Sequence, residues 1–220
     1  MSDPPAPAFD SRDPASARFW DERFAAGFTP WDAGGVPAPF TRWLHALGPG
    51  RGRRVLVPGC GAAYEVAAFD AAGFVVTAID YAAAAVAQAR TVLGAALADR
   101  TLRQADFFDL DAEPFADPFD LVYERAFLAA LPPALWPRWA ARVGEVLVAD
   151  GLLAGLFVVE PALPSPRRGP PFVTTLAELH ALLDGAFVLD AEAAVAPSES
   201  LPVFAGRERW IDWRRRTAPA

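Results

Sequence analysis

The chain has 220 residues, a net charge of −7 and a pI near 4.9, and this acidic balance argues against a nucleic-acid partner, which would require a basic face. A hydrophobic fraction of 53% indicates a globular protein with enough chain for one domain and its core. One cysteine excludes an intrachain disulfide, and two separated histidines offer no metal-ligand spacing. No apolar run approaches the roughly 20 residues that cross a bilayer, and a signal-peptide pattern is missing, so we expect a cytoplasmic protein without a membrane partner. The sequence leaves the oligomeric state open, and a monomer is the default expectation.

The N-terminal part of the sequence predicts a tail followed by two helices. Residues 1–12 are rich in Pro, Asp and Ser, and we expect a loose, disordered tail. Asp13-Pro14 is typical of a helix start, with a carboxylate cap before a proline at the first helical position, and this helix is expected to end at Gly27. After a loop at 28–32, a second helix is predicted over 39–47.

From residue 53 onward, predicted strands and helices alternate. Five strands are predicted at 54–58, 74–79, 102–105, 119–123 and 152–159, the last after a turn at 149–151. Helices are predicted at 63–72, 82–97, 135–147 and, behind a capping-box pattern at Thr175, up to Asp184. Alternating βα units predict a doubly wound, parallel sheet with right-handed crossovers. Two closing strands at 186–195 and 208–213 are expected to be antiparallel at one edge, which gives a mostly parallel seven-stranded sheet in one α/β domain over 13–220.

The ends of the predicted strands carry the candidate ligand-binding residues, because doubly wound sheets bind ligands beyond the carboxyl ends of their strands. Strand one ends at Gly59 and Gly61, which have no Cβ to obstruct a ligand. Asp80 ends strand two, about 20 positions after the first glycine, where an acidic residue can accept hydrogen bonds from ribose hydroxyls. The alternative, that the glycines are turn residues and Asp80 caps the next helix, explains this pair about equally well.

Tyr64 stands where a dinucleotide-binding loop would have its third glycine, so a pyrophosphate fits less easily there. A ligand with ribose and adenine but no phosphate fits better, which favours S-adenosylmethionine over a nicotinamide cofactor. Asp106 and the backbone N–H after it are placed to face an adenine edge, with Phe107 or Phe108 against the ring. Alternatively, Asp106 caps a turn and both phenylalanines are core residues, which is the preferred interpretation for Phe108.

Several motifs occur in a consistent order between residues 19 and 213. The most specific are TPWD (29–32), VPGCG (57–61), ERAFLAALPP (124–133) and GPPF (169–172). On these motifs the chain resembles the thiopurine methyltransferase family, and more closely its thiol and halide methyltransferase branch. The resemblance implies a Rossmann-like class I methyltransferase fold with S-adenosylmethionine as cofactor and no metal, and with lid helices within residues 14–47.

The resemblance also implies a set of cofactor contacts. They are Trp20, Phe24, Trp31, Gly59, Asp80, Asp106, Phe107 and Arg125. Each of these residues also has an ordinary structural interpretation. Trp20 and Phe24 fit the buried stripe of an amphipathic helix. Arg125 fits an ion pair with Glu124 or Asp120, and Glu65 fits a charge in the first turn of a helix.

The predicted reaction is in-line transfer of a methyl group from a sulfonium to a small, soft nucleophile such as a thiol, sulfide, halide or thiopurine-like compound. Such a nucleophile needs alignment more than a strong base. The two catalytic candidates are Arg125, to hold an anionic acceptor or the methionine carboxylate, and Asp32, to accept a proton. The predicted apolar wall of the pocket consists of Trp20, Trp31, Phe127 and Phe172. The alternative function is that of a non-catalytic protein that binds S-adenosylmethionine or S-adenosylhomocysteine.

Overall fold

The computed structural model describes residues 7–109, 115–161 and 168–217, and a central sheet of seven strands organises them. The strands are β1 (Arg54–Pro58), β2 (Val75–Asp80), β3 (Leu102–Gln104), β4 (Phe119–Arg125), β5 (Leu147–Val158), β6 (Phe187–Ala194) and β7 (Glu208–Arg215). Their order in the sheet is β3-β2-β1-β4-β5-β7-β6. Strands β1 to β5 are parallel, and β7 is antiparallel to both β5 and β6. The predicted parallel sheet with an antiparallel C-terminal edge is therefore confirmed.

Eight helices flank or precede the strands in the described residues. They are α1 (Ala17–Ala25), α2 (Ala38–Leu47), α3 (Tyr64–Ala71), α4 (Ala83–Leu93), α5 (Ala95–Thr101), α6 (Phe127–Ala130), α7 (Trp136–Val146) and α8 (Leu176–Leu183). The predicted capping box opens α8, because the Thr175 hydroxyl accepts a hydrogen bond from Glu178 N–H and the Glu178 carboxylate accepts one from Thr175 N–H.

Strand β1 is apolar after its first residue, Arg54, because helices cover both faces of the sheet. Val55 and Val57 belong to the core on the face of α2 and α3, whereas Leu56 belongs to the core on the face of α7 and α8. This alternation buries all three side chains. Packing against these two cores places the carboxyl ends of the parallel strands side by side. The loops that follow β1, β2 and β4 therefore lie at the same edge of the sheet.

Three predicted boundaries were wrong for local reasons. The helix predicted over 82–97 is two helices, because Gly94 adopts a φ of 73° between α4 and α5. The turn predicted at 149–151 is an irregularity inside β5, where the pairing with β4 shifts between Phe119 and Leu121. Asp13-Pro14 forms a turn in which Asp13 O accepts from Ser16 N–H, and α1 begins only at Ala17.

The predicted tail lies partly outside the described residues, which begin at residue 7. Within the described part, Ser11 N–H donates to the Glu22 carboxylate at 2.9 Å, and the Phe9 ring lies 5.6 Å from the ring of Phe28. These contacts attach residues 9–11 to α1 and the loop after it. The looseness of the tail as a whole stays a prediction.

Glu124 explains the short helix α6, which the sequence did not predict. Its side chain is fully buried, and Oε1 accepts a hydrogen bond from Leu128 N–H at 3.0 Å in the first turn of the helix. Oε2 has no hydrogen-bond partner among the described residues. Burial raises the pKa of Glu124 to about 8, so the carboxyl group is mostly protonated at neutral pH.

Replacing Glu124 with Gln is expected to flatten the dependence of stability on pH. The unfolded chain releases the Glu124 proton near the ordinary pKa of 4.5 and the native chain only near pH 8. The free energy of unfolding of the wild type therefore falls as the pH rises through this window, by about 4–5 kcal/mol. Gln keeps an acceptor for α6 and has no charge to bury. Urea unfolding at several pH values across the window measures the effect.

The matched control for this prediction is Asp117→Asn, since the Asp117 side chain is 77% exposed. We expect its profile to run parallel to that of the wild type. A Glu124→Gln protein whose stability changes with pH as steeply as the wild type would contradict the assignment of a protonated Glu124.

Candidate functional site

A cavity of about 720 Å³ lies at the carboxyl ends of β1, β2 and β4, which is where a doubly wound sheet binds ligands. Its volume is within the range of small-molecule sites. The predicted site residues all border it: Trp20, Phe24, Trp31, Asp32, Gly59, Asp80, Asp106, Phe107 and Arg125. The structure thus brings together residues that are up to 105 positions apart in the sequence, from Trp20 to Arg125.

The loop after β1 requires its glycines for different reasons. Gly59 has a φ of 57°, and a Cβ at this position would lie 2.4 Å from Cδ2 of Phe127, which is too close for any real contact. Gly61 has a φ of 51°, but a Cβ there would be 3.5 Å from Cζ of Phe24, an ordinary contact. Gly59 is therefore needed for both conformation and space, whereas Gly61 is needed mainly for conformation.

Asp80 connects the loop after β1 to the start of α4. Oδ2 accepts a hydrogen bond from Gly61 N–H at 3.1 Å, and Oδ1 accepts one from Ala82 N–H at 3.0 Å. The residue is only 7% exposed, and burial raises the pKa of Asp80 to about 6. The structural interpretation of Asp80 as the cap of the next helix was wrong, because Ala82 is the N-cap of α4 and Asp80 stabilises the turn before it. The ribose interpretation stays a prediction that the position of Asp80 at the cavity supports.

Asp106 and Phe107 form the border of the cavity beyond β3. Asp106 Oδ1 accepts a hydrogen bond from Phe108 N–H at 2.9 Å, which stabilises a tight turn. The Phe107 ring is buried and lies 5.5 Å from the ring of Phe127, so it belongs to the core as well as to the cavity wall. Phe108 is partly buried against the same core, and the Arg138 guanidinium lies over its ring at 4.7 Å.

Three aromatic side chains from the N-terminal segment border the cavity on its outer side. The rings of Trp20 and Phe24 lie edge-on to Trp31, at centroid distances of 5.4 Å and 5.8 Å. The buried side chain of α1 is Phe19, so the buried-stripe interpretation of Trp20 and Phe24 does not describe their position. Asp21 attaches α1 to the sheet domain, because its carboxylate accepts a hydrogen bond from Ala84 N–H in the first turn of α4.

Asp32 holds the loop that carries Trp31. Oδ1 accepts a hydrogen bond from Gly34 N–H at 2.7 Å. Oδ2 accepts one from Gln88 Nε2 at 3.2 Å and a longer one from the Tyr64 hydroxyl at 3.4 Å. These contacts join the loop that carries Trp31 (the aromatic loop, residues 28–32) to α3 and α4. A role of Asp32 as proton acceptor stays a prediction, and the observed contacts favour a role in positioning.

The ion-pair partners predicted for Arg125 were wrong. Its guanidinium pairs with Glu65 Oε1 at 2.9 Å. Glu65 is buried, and the Tyr123 hydroxyl donates to the same oxygen at 3.3 Å. Asp120 instead accepts a hydrogen bond from Arg54 N–H, and Glu124 is engaged with α6 as described above. Burial disfavours the charged form of Arg125, but the Glu65 carboxylate outweighs this and raises the pKa of Arg125 further.

Phe172 does not line the cavity, although Trp20, Trp31 and Phe127 do, as predicted. Phe172 N–H donates to Ala129 O at 2.7 Å, and its ring packs against the core beside α7 and α8. The cavity wall is completed instead by Pro170 and Pro171 and by the unpredicted pair Val203 and Phe204. Residues 162–167, which precede this proline pair in the chain, lie outside the described residues.

Within residues 7–109, 115–161 and 168–217, no three His, Cys, Asp or Glu side chains are grouped as a metal ion would require. Over those residues, no helix has the length and apolar character to cross a membrane.

Comparison with known proteins relates this chain to methyltransferases. Residues 15–216 match the family model described as thiopurine S-methyltransferase. A probable thiol methyltransferase 2 of Arabidopsis thaliana is 30% identical over 208 residues, covering 89% of this chain and 84% of that protein. A thiopurine S-methyltransferase of Pseudomonas putida is 31% identical over 214 residues, covering 89% and 96%.

Solved structures give the same fold. The 1,6-didemethyltoxoflavin-N1-methyltransferase of Burkholderia thailandensis, solved with bound 1,6-didemethyltoxoflavin and S-adenosylhomocysteine, superposes with a TM-score of 0.69 at 20% identity. The superposition covers 98% of this chain and 94% of that one. The fold of this chain is therefore the Rossmann-like fold of class I methyltransferases.

Proposed function

Because the chain belongs to the thiopurine S-methyltransferase family, we propose that it transfers a methyl group from S-adenosylmethionine to a small, soft nucleophile by in-line displacement. The acceptor class comprises thiols, sulfide, halides and thiopurine-like compounds. The observation that carries the proposal is that a single cavity is bordered by the β1 loop, by Asp80 and Asp106, and by the rings of Trp20, Phe24 and Trp31. In this proposal the helices within residues 14–47 form a lid on a domain that spans 13–220.

The residues that border the cavity fit S-adenosylmethionine. Gly59 and Gly61 let the backbone of the β1 loop approach a ligand closely, and the Asp80 carboxylate beside them suits ribose hydroxyls. Tyr64 occupies the position where a third glycine would receive a pyrophosphate. Asp106 offers a second acceptor, beyond β3, for the edge of an adenine ring.

When bound, S-adenosylmethionine supplies a methyl group on a positively charged sulfur. The rings of Trp20, Phe24 and Trp31 are suited to face such a cation and to exclude water from it. Arg125 binds Glu65 through Nη1, and its other N–H groups can donate to a carboxylate of the ligand. The chain thereby positions reactants in an apolar space, where alignment provides most of the acceleration.

A soft anionic nucleophile needs no general base, so Asp32→Asn is expected to keep most of the activity. Asn can accept from Gly34 N–H through Oδ1, and its Nδ2 can donate to the Tyr64 hydroxyl and, once the Gln88 amide turns over, to Gln88 Oε1, so it preserves the loop that carries Trp31. We expect kcat/KM to fall by less than about tenfold, whereas loss of a proton acceptor would cost about 100-fold or more. Rates with a thiol of high pKa, which is mostly protonated at neutral pH and would need a base, distinguish the two roles when compared with rates for a thiol of low pKa.

The matched variant is Asp32→Ala, which removes every bond that Asp32 makes. It is expected to lower kcat/KM more than Asp32→Asn and to weaken S-adenosylhomocysteine binding, since the aromatic loop loses its attachment. Equal and large losses of kcat in both variants, with ligand binding unchanged, would contradict the positioning role.

The proposed function is tested by incubating the protein with S-adenosylmethionine and a panel of hydrosulfide, alkyl thiols, aryl thiols, iodide and thiocyanate. Formation of S-adenosylhomocysteine that depends on one of these acceptors is the expected result. Thermal stabilisation by S-adenosylmethionine without turnover of any acceptor would instead indicate a non-catalytic binding protein. Stabilisation by NAD alone would overturn the proposal.

A further inference from the structure

The sheet order divides the cavity into two halves. Gly59, Asp80 and Asp106 lie at the carboxyl ends of β1, β2 and β3, which are consecutive neighbours on one side of the sheet. On the other side, β7 pairs antiparallel with β5, so the start of β7 lies beside the end of β5, with Glu208 opposite Val158. The segment that leads into β7 therefore borders the half of the cavity that the proposed nucleoside contacts leave free.

This second half has an apolar wall. Phe204 is 3% exposed and forms a cluster with Ala129, Val158 and Val173, and Val203 and Trp31 pack at its margin. Val203, Phe204 and Trp31 all border the cavity. Arg125 lies one residue before Ala126 of this cluster, and Glu65 already balances its charge.

A network of hydrogen bonds fixes the backbone of the same segment. Arg207 Nε donates to Phe204 O at 2.7 Å, and its Nη2 donates to Val203 O at 3.2 Å. The third guanidinium nitrogen of Arg207, Nη1, donates to Glu160 Oε1 at 2.5 Å. One guanidinium therefore holds the carbonyls of both wall residues and connects them to the end of β5.

A buried carboxylate holds the start of this segment. Glu208 is buried, and its Oε2 accepts hydrogen bonds from the Ser200 hydroxyl at 2.6 Å and from Leu201 N–H at 3.1 Å. The Ser200 hydroxyl in turn accepts from Gly206 N–H. Residues 200–206 are thus attached at both ends, so the wall has a fixed position relative to the sheet.

We propose that Val203 and Phe204 are specificity-determining residues, and that they select acceptors whose nucleophilic atom is attached to an apolar carbon skeleton over bare inorganic anions. The inference rests on the proposed function and deepens it. A fixed apolar wall gains by covering carbon, whereas it offers no hydrogen bond to a desolvated ion. Arg207 and Glu160 act as positioning residues, because they reach the acceptor only through the wall that they hold.

The first test adds bulk to the wall. Val203→Phe is expected to lower kcat/KM for benzenethiol by about tenfold or more, while kcat/KM for hydrosulfide stays within about twofold. Val188→Phe is the matched control, because Val188 is 47% exposed on the edge strand β6, and it is expected to leave both values unchanged. The wild type is expected to prefer benzenethiol to hydrosulfide and to iodide.

The second test changes the support of the wall without changing the wall itself. Arg207→Lys keeps the charge beside Glu160 but loses the forked contact with the two carbonyls. It is expected to reduce the preference for benzenethiol over hydrosulfide while the hydrosulfide rate is retained. A general loss of structure would lower both rates together, so the ratio separates positioning from folding.

The possible failures can be told apart. If the wild type forms no S-adenosylhomocysteine with any acceptor, the proposed function fails. If the wild type is active but prefers inorganic anions, or if Val203→Phe lowers both rates equally, the specificity assignment is overturned. Should Val203→Phe fail to fold, Val203→Ala provides the opposite change, and it is expected to raise kcat/KM for a bulkier thiol such as naphthalenethiol relative to hydrosulfide.

Discussion

Gly59→Ala is expected to weaken S-adenosylhomocysteine binding by about 100-fold or more, which converts to about 2.7 kcal/mol. A Cβ at this position would lie 2.4 Å from the Phe127 ring, so that ring has to move. Phe127 borders the same cavity, and its ring also contacts Phe107. A displaced Phe127 therefore changes the shape of the site, and the new methyl group itself stands where the backbone must approach a ligand.

Gly27→Ala separates this steric effect from the cost of backbone conformation. Gly27 has a φ of 65°, close to the 57° of Gly59, but a Cβ at Gly27 would have nothing within 4 Å. Both substitutions therefore carry a similar strain of about 1 kcal/mol, from an alanine in the left-handed region. Only Gly59→Ala adds the collision with Phe127.

Isothermal titration with S-adenosylhomocysteine and urea unfolding of both variants measure these effects. We expect both proteins to fold, Gly59→Ala to be the less stable, and ligand binding to be lost only in Gly59→Ala. Binding that stays within about threefold of the wild type in Gly59→Ala, a change of under 0.7 kcal/mol, would show that the loop does not approach the ligand closely.

The architecture could be predicted from the sequence because each of its strong signals is local. The predicted strand at 54–58 is apolar after Arg54 and is followed by Gly59. In the structure, β1 has the same bounds, Arg54–Pro58. The break of the 82–97 helix could not be predicted in the same way. A single glycine within an alanine-rich segment costs about 1 kcal/mol, which helices often tolerate, and only the packing of α5 beside β2 and β3 decides that Gly94 ends α4.

The sequence identified the polar residues of the site but not the side chains with which they pair. Strand ends identified Asp80, Asp106 and Arg125, because carboxyl ends of parallel strands converge on one edge. Glu65 lies in the first turn of α3 and Arg125 at the end of β4, so their pairing depends on how these two elements are placed in the fold. No spacing in the sequence encodes that placement. An ion pair between near neighbours in the sequence was therefore a reasonable but wrong expectation.

The acceptor half of the cavity was the least predictable part. Phe172 was selected because it belongs to a recognisable motif, whereas Val203 and Phe204 lie in a short segment without periodicity between β6 and β7. Their position depends on the antiparallel pairing of β7 with β5, and on the bonds that Arg207 makes. The sequence predicted an antiparallel edge, but it indicated neither which strand β7 pairs with nor the hydrogen bonds of Arg207.

Asp80→Asn is expected to weaken ligand binding while leaving the ligand-free protein at least as stable at neutral pH. Burial raises the pKa of Asp80 to about 6, above the ordinary value of 3.8. The native chain thus keeps this proton up to about pH 6, whereas the unfolded chain loses it near pH 4. The free energy of unfolding falls as the pH rises through this window, and above it the buried charge costs about 2–3 kcal/mol.

Asn removes that charge but accepts through one oxygen only, so either Gly61 N–H or Ala82 N–H loses its acceptor. Losing one such bond costs about 1 kcal/mol, which is less than the gain from removing the charge at pH 7. At pH 4 the gain disappears, because the wild-type carboxyl group is then protonated in the native state. The stability difference between variant and wild type should therefore depend on pH with this sign.

Binding is expected to change in the opposite direction. Ribose hydroxyls donate more strongly to a carboxylate than to an amide, so Asp80→Asn should raise the Kd for S-adenosylhomocysteine by about tenfold to 100-fold. For the wild type, the Kd should also rise as the pH falls below about 6, where Asp80 gains a proton. The Kd of the variant should show no such step.

Asp99→Asn is the control, since Asp99 forms an exposed ion pair with Arg90 on the far ends of α4 and α5. It is expected to change neither stability nor Kd. Titration calorimetry and urea unfolding across about pH 4 to 8 then give, for each protein, the pH dependence of the Kd and of the free energy of unfolding. A generally damaged protein would lose stability and affinity together, so the predicted gain of one with loss of the other identifies Asp80 as a residue whose buried charge is retained for the ligand.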